Sequence, residues 1–176
     1  MLKIEILKKM CRFFIVAFSI FLAQACFPDF SRAAPEAMFL RIENMEGDNV
    51  FCKPMNEGES FAISFTHSVA LTPVTDYYRF LKGKMILDRT VYQDFGAGLP
   101  HMPEEGQKMR VENGKIIIEG YNRVLPSFDV RVGRVANHVL LFPVQGGDKM
   151  ESIPLKNLAA PGKALRFSIV NECGEN

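Results

Sequence analysis

The sequence predicts an all-β domain: an antiparallel sandwich or barrel-like fold of about nine to ten short strands, preceded by an N-terminal signal helix. Short segments in which apolar and polar residues alternate recur along the chain. Turn-forming clusters rich in glycine, asparagine and aspartate separate them at intervals of about 8–12 residues. After residue 36 no stretch sustains an apolar period of 3.6 residues, although residues 133–140 could form a short helical turn.

Local patterns predict the individual strands. Phe61, Ile63 and Phe65 alternate with small or polar residues, as in a strand with one buried face. The pairs at residues 82–83 and 113–114, Lys-Gly and Asn-Gly, predict hairpins, the second more strongly. The segments with strand character are, in chain order, residues 38–43, 50–52, 61–66, 76–81, 84–92, 108–112, 115–119, 127–132, 139–142, 150–155 and 164–170.

Residues 1–25 are interpreted as a signal peptide or, alternatively, as an uncleaved N-terminal anchor. Four basic residues precede an uncharged apolar run at residues 13–22, and the Ala-Gln-Ala sequence at residues 23–25 fits signal peptidase. The run is shorter than the roughly 20 residues that a transmembrane helix needs. We therefore expect export to the periplasm or to the outer face of the cytoplasmic membrane, with membrane contact only through this segment.

Cys26 follows the expected cleavage site directly and is a candidate for lipidation. A later cleavage near residue 33 would instead remove this cysteine. Beyond it we expect a flexible segment at residues 26–36, a single β domain at residues 37–172 and a short tail at residues 173–176.

The charge balance argues against nucleic acid as a partner. Residues 1–25 carry four positive charges and one negative charge, so their removal changes the formal net charge from +1 to −2. No basic stripe remains for a phosphate backbone. Arg123, Arg131 and Arg134 form a loose group that is suited to capturing a carboxylate, with solvated surface charges as the simpler interpretation.

Two cysteines, Cys52 and Cys173, remain in the body of the domain. An oxidising compartment preserves disulfides, and early and late strands often lie side by side, so a bridge between them is plausible. The alternative is two unrelated thiols, one buried and one on a mobile tail. The cysteine spacing does not fit a zinc site.

His67 is the first candidate for a functional side chain. It has the parity of the buried positions in its strand, so its imidazole should leave the sheet on the core side, while Ser68 faces the other way. Asp76 follows after a bend, and a carboxylate beside the ring would orient it and raise its pKa. The alternatives are a structural histidine at the rim of the core and a solvated aspartate.

A glycine-rich loop is the second candidate. The loop contains Gly96, Ala97, Gly98 and Pro100. It does not match the dinucleotide-binding fingerprint, which requires a third glycine. Its amides could receive an anion or another backbone, or the glycines could simply allow a tight turn. Three histidines do occur in the chain, but their spacing does not indicate a metal site, and no cofactor is predicted.

Several positions between residues 38 and 170 together carry a resemblance to a known family: His67, Ser68, Val69, Pro73, Val74, Asp76, the loop from Phe95 to Pro100, Arg131 and His138. On these positions the chain resembles a family of small exported bacterial domains of unknown function, often encoded beside TRAP transporters that use TAXI-type binding proteins. The resemblance spans roughly residues 38–170. Members of that family usually have glutamate where Asp76 stands here.

The sequence is compatible with three functions. The resemblance implies an exported accessory or binding domain, whose partner would be a membrane transporter component or a small solute. A second hypothesis is a small exported enzyme that uses His67 and Asp76 as an acid-base pair, although no catalytic signature identifies it. A third is a structural domain that interacts with the cell envelope.

Overall fold

Eleven strands form two antiparallel sheets in a computed structural model that describes residues 37–96, 98–144 and 149–174. The strands are β1 (Met38–Asn44), β2 (Asn49–Met55), β3 (Ser60–Thr66), β4 (Pro73–Leu81), β5 (Lys84–Tyr92), β6 (Lys108–Glu112), β7 (Lys115–Leu125), β8 (Ser127–Arg131), β9 (Val139–Pro143), β10 (Met150–Pro154) and β11 (Ala164–Val170). The four-stranded sheet has the order β2-β1-β11-β8, and the seven-stranded sheet has the order β10-β9-β3-β4-β5-β7-β6.

The predicted all-β sandwich is confirmed, with eleven strands in the described residues rather than nine to ten. Residues 133–138 form a connection without helical structure, while one short 3₁₀ helix, Leu155–Asn157, follows β10. Both predicted hairpins are present. Lys82, Gly83, Asn113 and Gly114 all have positive φ, the backbone that two-residue hairpins with matching strand twist require.

A ladder of aromatic rings joins the two sheets through the core. Phe61 and Tyr78 of the seven-stranded sheet stack at 5.0 Å, and Tyr78 stacks on Phe128 of the four-stranded sheet at 4.8 Å. Phe128 in turn stacks on Phe167 at 5.0 Å. Because Phe61 and Phe167 are fully buried, these contacts remove large apolar areas from water and fix how the sheets face each other.

A second, smaller apolar cluster lies at one end of the seven-stranded sheet. Val74, Tyr92, Ile116 and Ile118 form it, and Leu99 from the loop at residues 93–107 packs against it. The Tyr92 hydroxyl donates a hydrogen bond to the carbonyl of Pro100 at 2.5 Å. The long loop therefore covers apolar surface at this end of the sheet.

Cys52 and Cys173 form a disulfide, with Cα atoms 5.9 Å apart. Cys52 belongs to β2, and Cys173 follows β11; both strands flank β1. The Asn49 side-chain amide also donates to the carbonyl of Cys173 at 2.8 Å. The predicted bridge is thus present, and it fastens the chain beyond β11 to the four-stranded sheet.

The predicted signal peptide, Cys26 and the segment at residues 26–36 lie outside the described residues. Among the residues that are described, no helix has the length and apolar character needed to cross a membrane.

Candidate functional site

His67 follows β3 and forms hydrogen bonds that stabilise the turn between β3 and β4. Its backbone N–H donates to the carbonyl of Thr72 at 2.9 Å, and its carbonyl accepts from the N–H of Leu71 at 3.0 Å. Its ring Nδ1 accepts from the backbone N–H groups of Val69 and Ala70 at 3.2 and 3.0 Å. In the neutral ring the proton therefore lies on Nε2. The ring acts as a cap for the amides of this loop, in the way that an asparagine side chain often does.

The glycine loop approaches the same ring. Gly96 is buried, and a β-carbon at this position would lie 2.5 Å from Cε1 of His67. The structure thus brings together His67 and Gly96, two of the candidate site residues. Gly98 is exposed with φ of +88°, whereas Ala97 lies outside the described residues. Ser68 is exposed, as its parity predicts.

Asp76 lies elsewhere on the sheet. It pairs with Ile63 in β3, four residues before His67. At the usual rise of roughly 3.3 Å per residue, the two backbones are separated by about 13 Å along the strand direction. The register therefore does not favour the acid-base pair of His67 and Asp76.

Instead, Asp76 shares the inner face of β4 with Val74 and Tyr78, between the two apolar clusters. The Thr90 hydroxyl donates to its Oδ1 at 2.6 Å. Burial raises the pKa of Asp76, and the Thr90 hydrogen bond offsets part of this effect. The pKa of Tyr78 is also raised, first by burial and then by the charge of Asp76. Ionisation of the Asp76 carboxyl is therefore less favourable in the folded chain than in water.

Three loops meet at one end of the seven-stranded sheet: residues 67–72, 93–107 and 132–138. The first two follow the ends of β3 and β5, which run in the same direction, and the third leads into β9 beside β3. The N–H of Thr66 donates to the carbonyl of Ala136 at 2.7 Å and joins the first loop to the third. We call these three loops together the loop end.

Exposed apolar side chains are concentrated at the loop end. Of the ten large apolar side chains that are exposed in the described part of the chain, five belong to these loops. They are Val69, Leu71, Phe95, Met102 and Val135. The sequence analysis named Val69 and Phe95 only as positions of the family resemblance, and it did not predict the group, because alternation identifies buried faces within strands and gives no information on apolar residues in loops.

Leu71 has an unusual backbone within this group. It is 70% exposed and has φ of 55°. Leucine rarely adopts this left-handed conformation, which costs an L-residue roughly 1–2 kcal/mol. The chain thus presents an apolar side chain to water from a left-handed backbone position, within the turn that the N–H of Leu71 and the carbonyl of His67 close.

A cavity of about 430 Å³ lies beside the loop end, between the segments that cross from one sheet to the other. Its polar lining includes Arg134, Asn137, His138 and Lys156. Burial lowers the pKa of His138. Arg131 does not line this cavity. It is exposed, and its Nη1 donates to the carbonyl of Gly162 at 2.8 Å.

Comparison with known proteins gives one match. Residues 61–147 match the family model of a domain of unknown function, DUF1850. This range includes the loop end and almost all of the strands from β3 to β9, and it leaves out β1, β2, β10 and β11. The match agrees with the predicted resemblance as far as a domain of unknown function. No curated protein and no solved structure was found to match the chain.

Proposed function

We propose that the protein is an exported accessory domain whose loop end binds a membrane-protein component of a TAXI-type TRAP transporter. The observation that carries the proposal is the group of five exposed apolar side chains on three converging loops. Apolar side chains that are exposed together at one end of a domain favour an interaction site there. The transporter is named on the strength of the family resemblance.

Leu71 is the expected centre of the interface. Val69 and Leu71 are each 70% exposed, and Val135 on the adjoining loop is 78% exposed. A partner that covers Leu71 would remove its apolar side chain from water, a favourable burial that the free domain does not have. Phe95 and Met102 add the aromatic and methionine character that is enriched in protein interfaces.

The charges at the loop end favour a protein over an anionic lipid surface. Asp94, Glu104 and Glu105 are exposed on the 93–107 loop, and Arg134 provides a single basic side chain. Peripheral segments that bind anionic membranes usually carry several lysines or arginines around their apolar residues. These acidic side chains would be repelled by such a surface and would favour a partner that presents basic groups beside an apolar face.

In vivo photo-crosslinking tests this proposal. A photo-reactive phenylalanine analogue is placed at position 71 in producing cells, and the same analogue at position 124 serves as a control. Val124 is half-exposed on β7 and pairs with Ile86, towards the opposite end of the same sheet. We expect position 71 to yield an adduct with a transporter membrane subunit, and position 124 to yield none.

A charged substitution provides the second arm of the test. Leu71→Asp in a chain that carries the photo-reactive group at position 69 should abolish the adduct while leaving the melting temperature within a few degrees. An adduct with lipid alone, with another envelope protein, or with equal yield at positions 71 and 124 would overturn the proposal.

A further inference from the structure

We propose that the cavity between the two crossover segments binds a small organic carboxylate. The first segment, residues 132–138, leads from β8 in the four-stranded sheet to β9 in the seven-stranded sheet. The second, residues 155–163, leads back from β10 to β11. This site is separate from the apolar side chains on which the transporter proposal rests, so either proposal can fail without the other.

Backbone hydrogen bonds hold the two segments together on both sides of the cavity. On one side, Val132 donates to the carbonyl of Lys163 at 2.8 Å and accepts from the N–H of Gly162 at 2.7 Å. On the other side, the N–H of Leu155 donates to the carbonyl of His138 at 2.9 Å. The cavity is therefore formed before any ligand arrives, which lowers the entropic cost of binding.

The charged groups of the lining are all basic. Arg134 and Lys156 both line the cavity, and no aspartate or glutamate is among its described lining residues. Within residues 37–96, 98–144 and 149–174, neither cation forms a salt bridge. Two cations that share a concave site without a counterion provide a favourable field for an anion.

His138 contributes a directed donor. Its Nδ1 accepts from the backbone N–H of Gly133 at 3.1 Å, so the proton of the neutral ring lies on Nε2. The ring packs against Phe65 at 5.4 Å. Gly133 permits this arrangement, because a β-carbon there would lie 2.8 Å from the β-carbon of Ala136 and 3.2 Å from Cε1 of His138. The imidazole is therefore held in one orientation by its neighbours.

The rest of the lining favours a ligand with an apolar organic part over an inorganic ion. Val132, Val139, Pro154 and Pro161 supply apolar surface around the basic groups. The volume of about 430 Å³ falls in the range of roughly 300–1,000 Å³ that is usual for small-molecule pockets. Asn137, at the edge of the cavity, has φ of 45°, a conformation that asparagine tolerates better than most residues.

Nuclear magnetic resonance titrations at constant ionic strength test this site. The probes are hexanoate, hexylamine and inorganic phosphate, each added to the isotope-labelled protein. We expect hexanoate to give saturable shifts in the amides of Gly133 and His138 at about millimolar concentrations, and hexylamine to give none. A short peptide with a free or an amidated C-terminus then distinguishes a peptide carboxylate from a free acid.

Charge-removing variants provide the control. The double variant Arg134→Gln, Lys156→Gln should weaken hexanoate binding at least about tenfold. Lys84→Gln, at the hairpin on the opposite end of the sheet, removes a charge outside the cavity and should leave hexanoate binding unchanged. Equal saturation by phosphate, equal weakening by Lys84→Gln, or no saturable shift with hexanoate would overturn the proposal.

The titration of His138 gives an independent readout. Because burial lowers the pKa of this ring, an anion held beside it should raise that pKa. The ring resonances of His138 should therefore titrate at higher pH when hexanoate is present, and the double variant should lose this upward shift. A His138 titration that hexanoate does not move in the native chain would contradict the assignment.

Discussion

Gly96 lies so close to the ring of His67 that a β-carbon at residue 96 would stand 2.5 Å from its Cε1 atom. The contact joins the long 93–107 loop to the turn that follows β3. We expect Gly96→Ala to destabilise the domain by roughly 1–3 kcal/mol, because either the ring or the loop must move. Urea denaturation of the single variant measures this cost.

A double-mutant cycle identifies the source of the cost. In a His67→Ala background the imidazole is gone, so Gly96→Ala should lose most of its effect. If the two changes instead add independently, the destabilisation comes from the backbone of the loop and not from the ring.

The capping role of His67 predicts an order among its variants. The Oδ1 of asparagine can occupy nearly the same position relative to the backbone as Nδ1 of histidine, and it also accepts hydrogen bonds from nearby amides. We expect His67→Ala to cost roughly 1–3 kcal/mol and His67→Asn to recover part of that loss. Glutamine, which is one bond longer, should recover less. The free energy of unfolding from chemical denaturation ranks the three variants, and equal losses would exclude a capping role.

The burial of Asp76 predicts an unusual pH dependence for a carboxylate. Its pKa is raised in the folded state above the ordinary value of 3.8, so the folded chain retains this proton at pH values where the unfolded chain has lost it. The contribution of Asp76 to stability therefore decreases as pH rises from about 3.8 to the folded-state pKa, and it stays low above that.

Asp76→Asn isolates this effect. The variant should be more stable than the native chain at neutral pH, and the difference should shrink as the pH falls through the same window. Thermal denaturation from pH 3 to pH 8 measures it, with Asp94→Asn on the exposed loop as the matched control. A variant that is less stable at neutral pH would show that the ionised carboxylate contributes favourably to the fold.

The disulfide should contribute much of the stability of the domain. Cys52 and Cys173 are 121 residues apart, and the chain-entropy model assigns a loop of this length about 4–5 kcal/mol. Reduction, or a paired change of both cysteines to alanine, should lower the denaturation midpoint accordingly. Two alkylatable thiols in protein purified from cells without reductant would show that the bridge does not form there.

Export predicts a processed N-terminus. Sequencing of envelope-fraction protein should begin at Cys26 or near Ala34, and Met1 should be absent. If Cys26 is acylated, palmitate labelling should disappear in Cys26→Ala. Intact Met1 on protein in the cytoplasmic fraction would exclude export.

Local signals predicted the strands well, because alternation and hairpin turns depend on neighbouring residues. The Asn-Gly turn at residues 113–114 and the alternation from Phe61 to Phe65 are examples. The position of His67 at the rim of the core also followed from parity. These are short-range properties of the chain.

Apart from the pairing of Cys52 with Cys173, long-range arrangements were beyond such reasoning. The cavity joins residues near 134 and 156, which come together only when the two sheets stack. Asp76 was expected beside His67 or in solvent, but strand register places it on the inner face. Arg131 and Arg134 differ by three positions, yet only Arg134 lines the cavity, because β8 ends between them.

One crossover segment, residues 132–138, serves both proposed sites. Val135 projects from it at the loop end, while Arg134 and His138 line the cavity. If occupancy of the cavity changes the position of this segment, the two binding equilibria share a coupling free energy, and reciprocity requires each ligand to alter the affinity of the other by the same factor. Binding of a solute in the cavity would then change the affinity of the domain for its partner. A small acid would change the crosslinking yield at position 71 without contacting that residue.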